Sequence, residues 1–266
     1  MGISTRNFNE NNMNRLINKI EKPEKILNAP AYDHCVKADA LRIKNYLWES
    51  IDEYLKALAY DESNYEAYRG MGLSYKQIGY IESAIESFEK AKKLRPFDKA
   101  IRYELGYCYY QANKLSKSQK ELHKAIKIDP NYIEAQFQLA VVHELSNEID
   151  MSMKIYQKII EERPSYIAAY NNLGSLYIRL GMLTAAVEIF KELIRINPDF
   201  VRAYLGIAVA YDKMNAKSEA IRFYRKYMEI KPSSVNIPYI LERIGELKSE
   251  KKPVQNSHLK LVVQNV

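Results

Sequence analysis

Apolar residues recur along this chain with the spacing of helices, and the helices recur with a spacing of their own. Tyr170, Leu173, Gly174 and Tyr177 fall at i, i+3, i+4 and i+7, while Ala186, Phe190 and Leu193 fall at i, i+4 and i+7. Each set gives a helix with one apolar face. Between them stands Gly181, which tolerates the left-handed conformation that ends a helix. The pattern predicts helix, tight turn, helix, and it repeats: Pro96, Pro130, Pro164, Pro198 and Pro232 stand 34 residues apart. Repeats of this length mark stacked architectures. Counting back from the prolines divides 31–234 into six blocks, with Glu62 where the first proline would be.

The blocks align column by column. Their eighth position is Ala38, Gly72, Gly106, Ala140, Gly174 and Ala208, and their twentieth is Ser50, Ala84, Ser118, Ser152, Ala186 and Ala220. Small side chains at both points predict two antiparallel helices in close approach. The fifteenth position is Asn45, Gly79, Asn113, Asn147, Gly181 and Asn215, all tolerant of positive φ. Each proline ends the second helix, since it lacks an N–H and restricts the residue before it. Asn131, Ser165, Asp199 and Ser233 follow as turn or N-cap candidates.

Small or aromatic residues at positions 4, 7, 8, 11, 20, 24, 27 and 32 of a 34-residue unit resemble the tetratricopeptide repeat, over 204 of the 266 residues. The fifth block resembles it closely, whereas the first departs with Lys37 and Glu62, as suits a terminal unit. The resemblance implies an all-α fold, a right-handed superhelical solenoid of antiparallel helix pairs whose first helices line a concave groove. Residues 235–248, with Ile237, Ile240, Leu241 and Ile244, read as a C-terminal capping helix. Residues 1–30, rich in Asn, read as partly mobile apart from a short amphipathic stretch at Met13, Leu16, Ile17 and Ile20. Residues 249–266 read as a disordered tail, in which His258–Val263 is apolar enough to enter a groove or pair with a strand.

The resemblance further implies that positions 2, 5, 6, 9, 12 and 13 of the first helices face the groove. In the third and fourth blocks these include Tyr103, Tyr107, Tyr110, Phe137 and Val141, an apolar and aromatic set suited to anchoring a ligand. In the fifth and sixth they include Asn171 and Asn172, which can hold a peptide backbone, and Arg179 and Arg202, which attract acidic groups. Asn172 resembles one rung of the asparagine ladder in O-linked N-acetylglucosamine transferases, but Gly70, Glu104, Gln138 and Gly206 do not continue it. The carboxylate clamp of chaperone-binding members is not reproduced.

Chemistry adds little to this picture. The chain lacks a Gly-rich phosphate loop, His-Glu-x-x-His, Cys-x-x-Cys and Gly-x-Ser-x-Gly. Neither an enzyme, a cofactor nor a metal site is expected. His34 and Cys35 are adjacent and point apart on a helix, and His143 stands in a column otherwise held by Leu41 and tyrosines, where it reads as packing. Two cysteines make no disulfide framework, which fits a reducing compartment. With no run of about 18 apolar residues and no export or lipidation signal at the start, a cytoplasmic protein without membrane contact is expected.

The net charge of +7 and pI of about 9.0 leave nucleic acid to be considered. Charge is banded, however: the six blocks carry −3, +1, +4, −3, 0 and +4. Bands suit a protein partner better than a polyanion, which prefers an unbroken basic stripe. The expected function is therefore a non-enzymatic scaffold or adaptor binding a protein or peptide in its groove. A substrate-recruiting subunit of an enzyme complex, such as a glycosyltransferase, is the alternative, and RNA binding a lesser one.

Overall fold

The computed structural model describes residues 29–249, which form thirteen helices and no strand. The expectations for Met13–Ile20 and for the tail at His258–Val263 lie outside the described residues. The described residues divide into two compact units, with the boundary between Ala112 and Asn113. In the first, α1 (Ala29–Ile43), α2 (Leu47–Tyr60), α3 (Tyr65–Ile78), α4 (Ile81–Leu94) and α5 (Lys99–Gln111) pack each against the next. The second runs α6 (Leu115–Ile128), α7 (Ile133–Leu145), α8 (Ile149–Glu162), α9 (Ile167–Arg179), α10 (Leu183–Ile196), α11 (Val201–Lys213), α12 (Lys217–Ile230) and α13 (Ile237–Lys248), again each on the next.

The turn column explains the pairing. Asn45, Asn113, Asn147 and Asn215 have φ between 56° and 66°, and Gly79 and Gly181 have 95° and 74°; they are all the positive-φ residues among those described. A left-handed residue at that point reverses the chain within three or four residues, so the two helices of a pair return against each other. At the other end the second helices stop at Leu94, Ile128, Glu162, Ile196 and Ile230, each two residues short of a proline. The residues between, such as Asp129 and Asn197, are extended, as residues preceding proline must be. Asn131, Ser165 and Asp199 sit in the turn and do not cap; the N-cap position falls one residue later, at Tyr132, Tyr166 and Phe200. Side-chain capping occurs earlier in the chain, where Asn64 accepts from the Ala67 N–H and Asp98 from the N–H groups of Ala100 and Ile101.

The small columns lie where helices cross. Ser50, Ala84, Ser118, Ser152, Ala186 and Ala220 have no exposed surface. An added Cβ on Gly72 would stand 2.6 Å from the Phe88 ring, and one on Gly174 2.6 Å from the Phe190 ring. Position 24 supplies those rings: Tyr54, Phe88, Tyr156, Phe190 and Tyr224 are at most 2% exposed. Buried tyrosines there need a partner for the hydroxyl. Tyr54 donates to Asp39 at 2.8 Å and Tyr224 to Asp212 at 3.0 Å.

The last helix, α13, covers α12 with Ile240, Ile244 and Leu247. It is also latched by charge. Arg243 donates Nε to Asp212 Oδ2 (2.8 Å) and Nη2 to Asp212 Oδ1 (2.7 Å), and the Asp212 side chain is only 3% exposed.

Candidate binding surfaces

In the first unit α5 buries Ile101, Leu105, Cys108 and Tyr109 and turns Tyr103, Tyr107 and Tyr110 outward, each half-buried. Tyr103, Tyr107 and Gln111 line an open cleft of about 640 Å³ together with Lys76, Gly79 and Ile81. Its parts are fixed in advance. Gln111 Nε2 donates to the Tyr107 hydroxyl at 3.0 Å, and Lys76 Nζ lies 5.4 Å from the Tyr107 ring centroid while bonded to Glu104 Oε2 at 2.5 Å. Tyr110 leans on Tyr107, with centroids 6.1 Å apart, and does not line the cleft. Lys76 went unnoticed in the sequence although it holds position 12 of the second block, one of the groove-facing positions.

Two thiols stand in this unit's core. Cys35 and Cys108 are free and buried. Burial, with nearby carboxylates adding to it, raises Cys35 to about 11 and Cys108 to about 12. Thiols kept protonated are poor nucleophiles and poor metal ligands. Near Cys35, Glu53 ties α2 to α1, accepting hydrogen bonds from Lys56 (2.8 Å), Lys37 (2.9 Å) and His34 (2.7 Å). These bonds, that of Lys56 first, hold the Glu53 carboxyl down at about 2.

In the second unit the predicted residues are more deeply built in. Phe137 packs on Tyr156 and Tyr166, with centroids 5.7 and 5.4 Å away, and Val141 lies half-buried against the same core. Asn171 is buried, its amide donating to Asn172 Oδ1 at 3.4 Å. Asn172 Nδ2 in turn donates to the Tyr156 hydroxyl at 3.1 Å. Arg179 is paired with Glu144 on α7, and Arg202 is exposed without a carboxylate partner among the described residues. Asn172, Tyr156, Glu144 and Arg179 thus form one polar row across α7, α8 and α9. Much of the hydrogen-bonding capacity expected to serve a ligand is used within the protein.

His143 is buried, as packing requires, yet it has an acidic neighbour that the repeat columns did not reveal: its Nδ1–H bonds to Glu148, and Gln119 Nε2 bonds the same carboxylate at 2.6 Å. The ring of His123 stands 5.9 Å away, and burial lowers the His123 pKa. Among the described residues no group of three His, Cys, Asp or Glu side chains is placed to hold a metal ion, and no helix is long and apolar enough to cross a membrane.

Models of the tetratricopeptide repeat match residues 65–98, 134–166, 167–200 and 201–234, and a TPR repeat model matches 106–147. The chain belongs to the tetratricopeptide repeat family. No curated protein matches the sequence. Among solved structures, the TPR chain is similar to MamA, at 24% identity over 71% of this chain and 98% of that one, with a TM-score of 0.58. It is similar also to YrrB, described as a TPR protein with an unusual peptide-binding site, at 17% identity over 71% and 97% of the two chains (TM-score 0.58). PilF of Pseudomonas aeruginosa shares 12% identity over 82% of this chain and 100% of its own, with a TM-score of 0.66. At such identities the likeness is one of fold. Within that fold, Tyr103 and Tyr107 belong to the first helix of the third TPR unit and Lys76 to that of the second.

Proposed function

We propose that this TPR protein is a non-enzymatic, cytoplasmic interaction scaffold that binds a segment of a partner protein along its first helices. The observation that carries the reading is the cleft at Tyr103 and Tyr107, where the Tyr107 hydroxyl, the Gln111 amide and the Lys76 ammonium group are held in place by bonds within the protein. Rigid aromatic surface of this kind gives contact area at little entropic cost, and ordering falls on the ligand alone. Tyr103 and Tyr107 serve as apolar anchors. Lys76, already bonded to Glu104, offers its remaining N–H groups to a carbonyl or carboxylate. Tyr110 supports this cleft from beside Tyr107; in the second unit Arg179 and Arg202 attract acidic groups, Asn172 keeps one N–H and one lone pair for a backbone, and Phe137, Val141 and Asn171 support that surface from within.

The test is selection of a displayed random peptide library on the full chain, with Tyr107→Ala and Lys76→Ala chains as counter-targets. Enriched peptides are expected to bind the parent chain and to lose at least about tenfold in affinity to Tyr107→Ala, the loss of one central aromatic anchor. Peptides that bind parent and variants alike, or capture of RNA in place of peptide from a mixed pool, refute the reading. A substrate-recruiting role beside a separate catalytic chain would use the same cleft and is refuted by the same results.

A further inference from the structure

A different surface lies on α12, which buries only Ala220, Tyr224 and Tyr227. Ser218, Arg222, Arg225 and Glu229 follow one another along its outer side and, with Ile221, Phe223 and Lys226, line a cleft of about 380 Å³. Bases dominate it. Lys226 is matched by Glu229 at 3.1 Å, whereas Arg222 and Arg225 form no ion pair with a carboxylate among the described residues.

The cations here are arranged on aromatic rings rather than left loose. The Arg222 guanidinium lies 4.9 Å from the Phe223 ring centroid, Phe223 stacks on Tyr211 at 5.8 Å and 28°, and Lys191 Nζ stands 5.9 Å from the Tyr211 ring. A cation, two rings and a second cation therefore run from α10 through α11 to α12. Resting a long side chain on a ring lowers the entropy lost when it is later fixed by a ligand. Guanidinium groups then present paired N–H donors that match carboxylates.

The extent of the surface limits what it fits. Residues 201–234 carry +4, but 167–200 carry 0 and 133–166 carry −3, so the excess here does not run on into the two preceding repeats. A helix of 14 residues is roughly 21 Å long, the length of about six residues of extended chain. Nucleic acid would demand a basic surface that runs on. We propose that the outer face of α12 docks an acidic polypeptide segment, a run of about six residues rich in Asp and Glu whose carboxylates pair with Arg222 and Arg225. The site lies on another helix and in another unit than the Tyr103–Tyr107 cleft, and does not depend on it.

The experiment is fluorescence anisotropy of a labelled peptide of alternating Asp and Glu with the full chain. Affinity is expected to fall at least about tenfold in Arg222→Glu/Arg225→Glu, and by less, in the same direction, in Arg222→Gln/Arg225→Gln. It should also fall as salt rises, since these cations are exposed. Lys120→Glu/Lys127→Glu, which alters net charge equally on α6, should leave binding within about twofold. The proposal is overturned if the α6 variant weakens binding as much as the α12 variant, if reversing Arg222 and Arg225 changes nothing, or if the acidic peptide does not bind. It is equally overturned if a phosphorylated peptide or an oligonucleotide of the same charge binds about tenfold tighter.

Discussion

Truncating Arg243 to alanine asks whether α13 is held to the repeats by its apolar stripe or by its charge. The stripe is short: Ile240, Ile244 and Leu247, each worth about 1.5–3 kcal/mol when fully buried. Against it stands the Asp212–Arg243 pair, with two hydrogen bonds of 2.7 and 2.8 Å and a carboxylate side chain 3% exposed. Removing one member of a buried pair costs about 3–5 kcal/mol, because the other is left charged without compensation. Two features place the cost near the lower end. Arg243 keeps 20% of its side chain exposed, and Tyr224 continues to donate to Asp212. Arg243→Ala should therefore cost about 3 kcal/mol, comparable to losing one or two of the buried apolar residues. Urea denaturation gives the total, and hydrogen exchange over 237–248 shows whether the loss is local to α13. The decisive comparison is Asp212→Asn/Arg243→Met, which removes the charge from both sides and should be more stable than Arg243→Ala alone. If Arg243→Ala costs under about 1 kcal/mol, as exposed pairs do, or if the double variant is the less stable, the latch is not what holds the helix.

Further outcomes follow from the columns and the core. Gly174→Ala should destabilise by about 1–3 kcal/mol in thermal or urea melts, although alanine is ordinarily favoured over glycine within a helix, because its Cβ would stand 2.6 Å from the Phe190 ring. Asn147→Val should cost about 1–2 kcal/mol and Asn147→Gly almost nothing, since the site has φ 61°. The folded pKa of Glu53 lies at about 2, below its ordinary 4.5, so its contribution is full above 4.5 and is lost as pH falls toward 2; in Glu53→Gln, the acid limb of the stability profile should flatten over that window. Cys35 and Cys108, raised to about 11 and 12, should resist alkylation in the native chain at neutral pH and react at full rate in urea, followed by mass spectrometry.

The fold was legible because repetition multiplies weak signals. A single Asn at a helix end says little, but Asn or Gly at the same position six times predicts six left-handed turns, and all six residues have positive φ. The small residues at position 20 are likewise individually ordinary, and together they mark where helices touch. Of the two roles open to Asn131, Ser165 and Asp199, turn or N-cap, they take the turn, because the chain does not enter the next helix directly after the proline. The chain needs a full turn after it, in which Asp129 and Asn197 accept from the N–H groups of Asn131 and Asp199. Tyr103 and Tyr107 line a cleft, whereas Asn171 and Asn172 bond to each other and to Tyr156, contacts that no single column of the repeat displays.

What the columns hide is pairing between neighbouring units, and here the period itself contains the missing information. Lys76 and Glu104 lie 28 residues apart, Asp212 and Arg243 31, Gln77 and Asn45 32, Tyr65 and Asp98 33, and Glu144 and Arg179 35. These separations fall near 34 because side chains on equivalent helices of adjacent units face one another, displaced by up to about two turns. A repeat sequence can therefore be searched for complementary polar residues at one period plus or minus about two helical turns. Such a search would have returned Lys76 with Glu104 and Glu144 with Arg179 at once, and with them the fact that Arg179 enters any ligand complex already paired. The same search offers Glu188 to Arg222 and Glu192 to Arg225, both on α10, yet neither pair forms among the described residues, and Glu192 is engaged by Arg195 on its own helix. Unmatched cations are what a surface for an acidic partner requires, and Arg222 and Arg225 supply two of them one turn apart on α12.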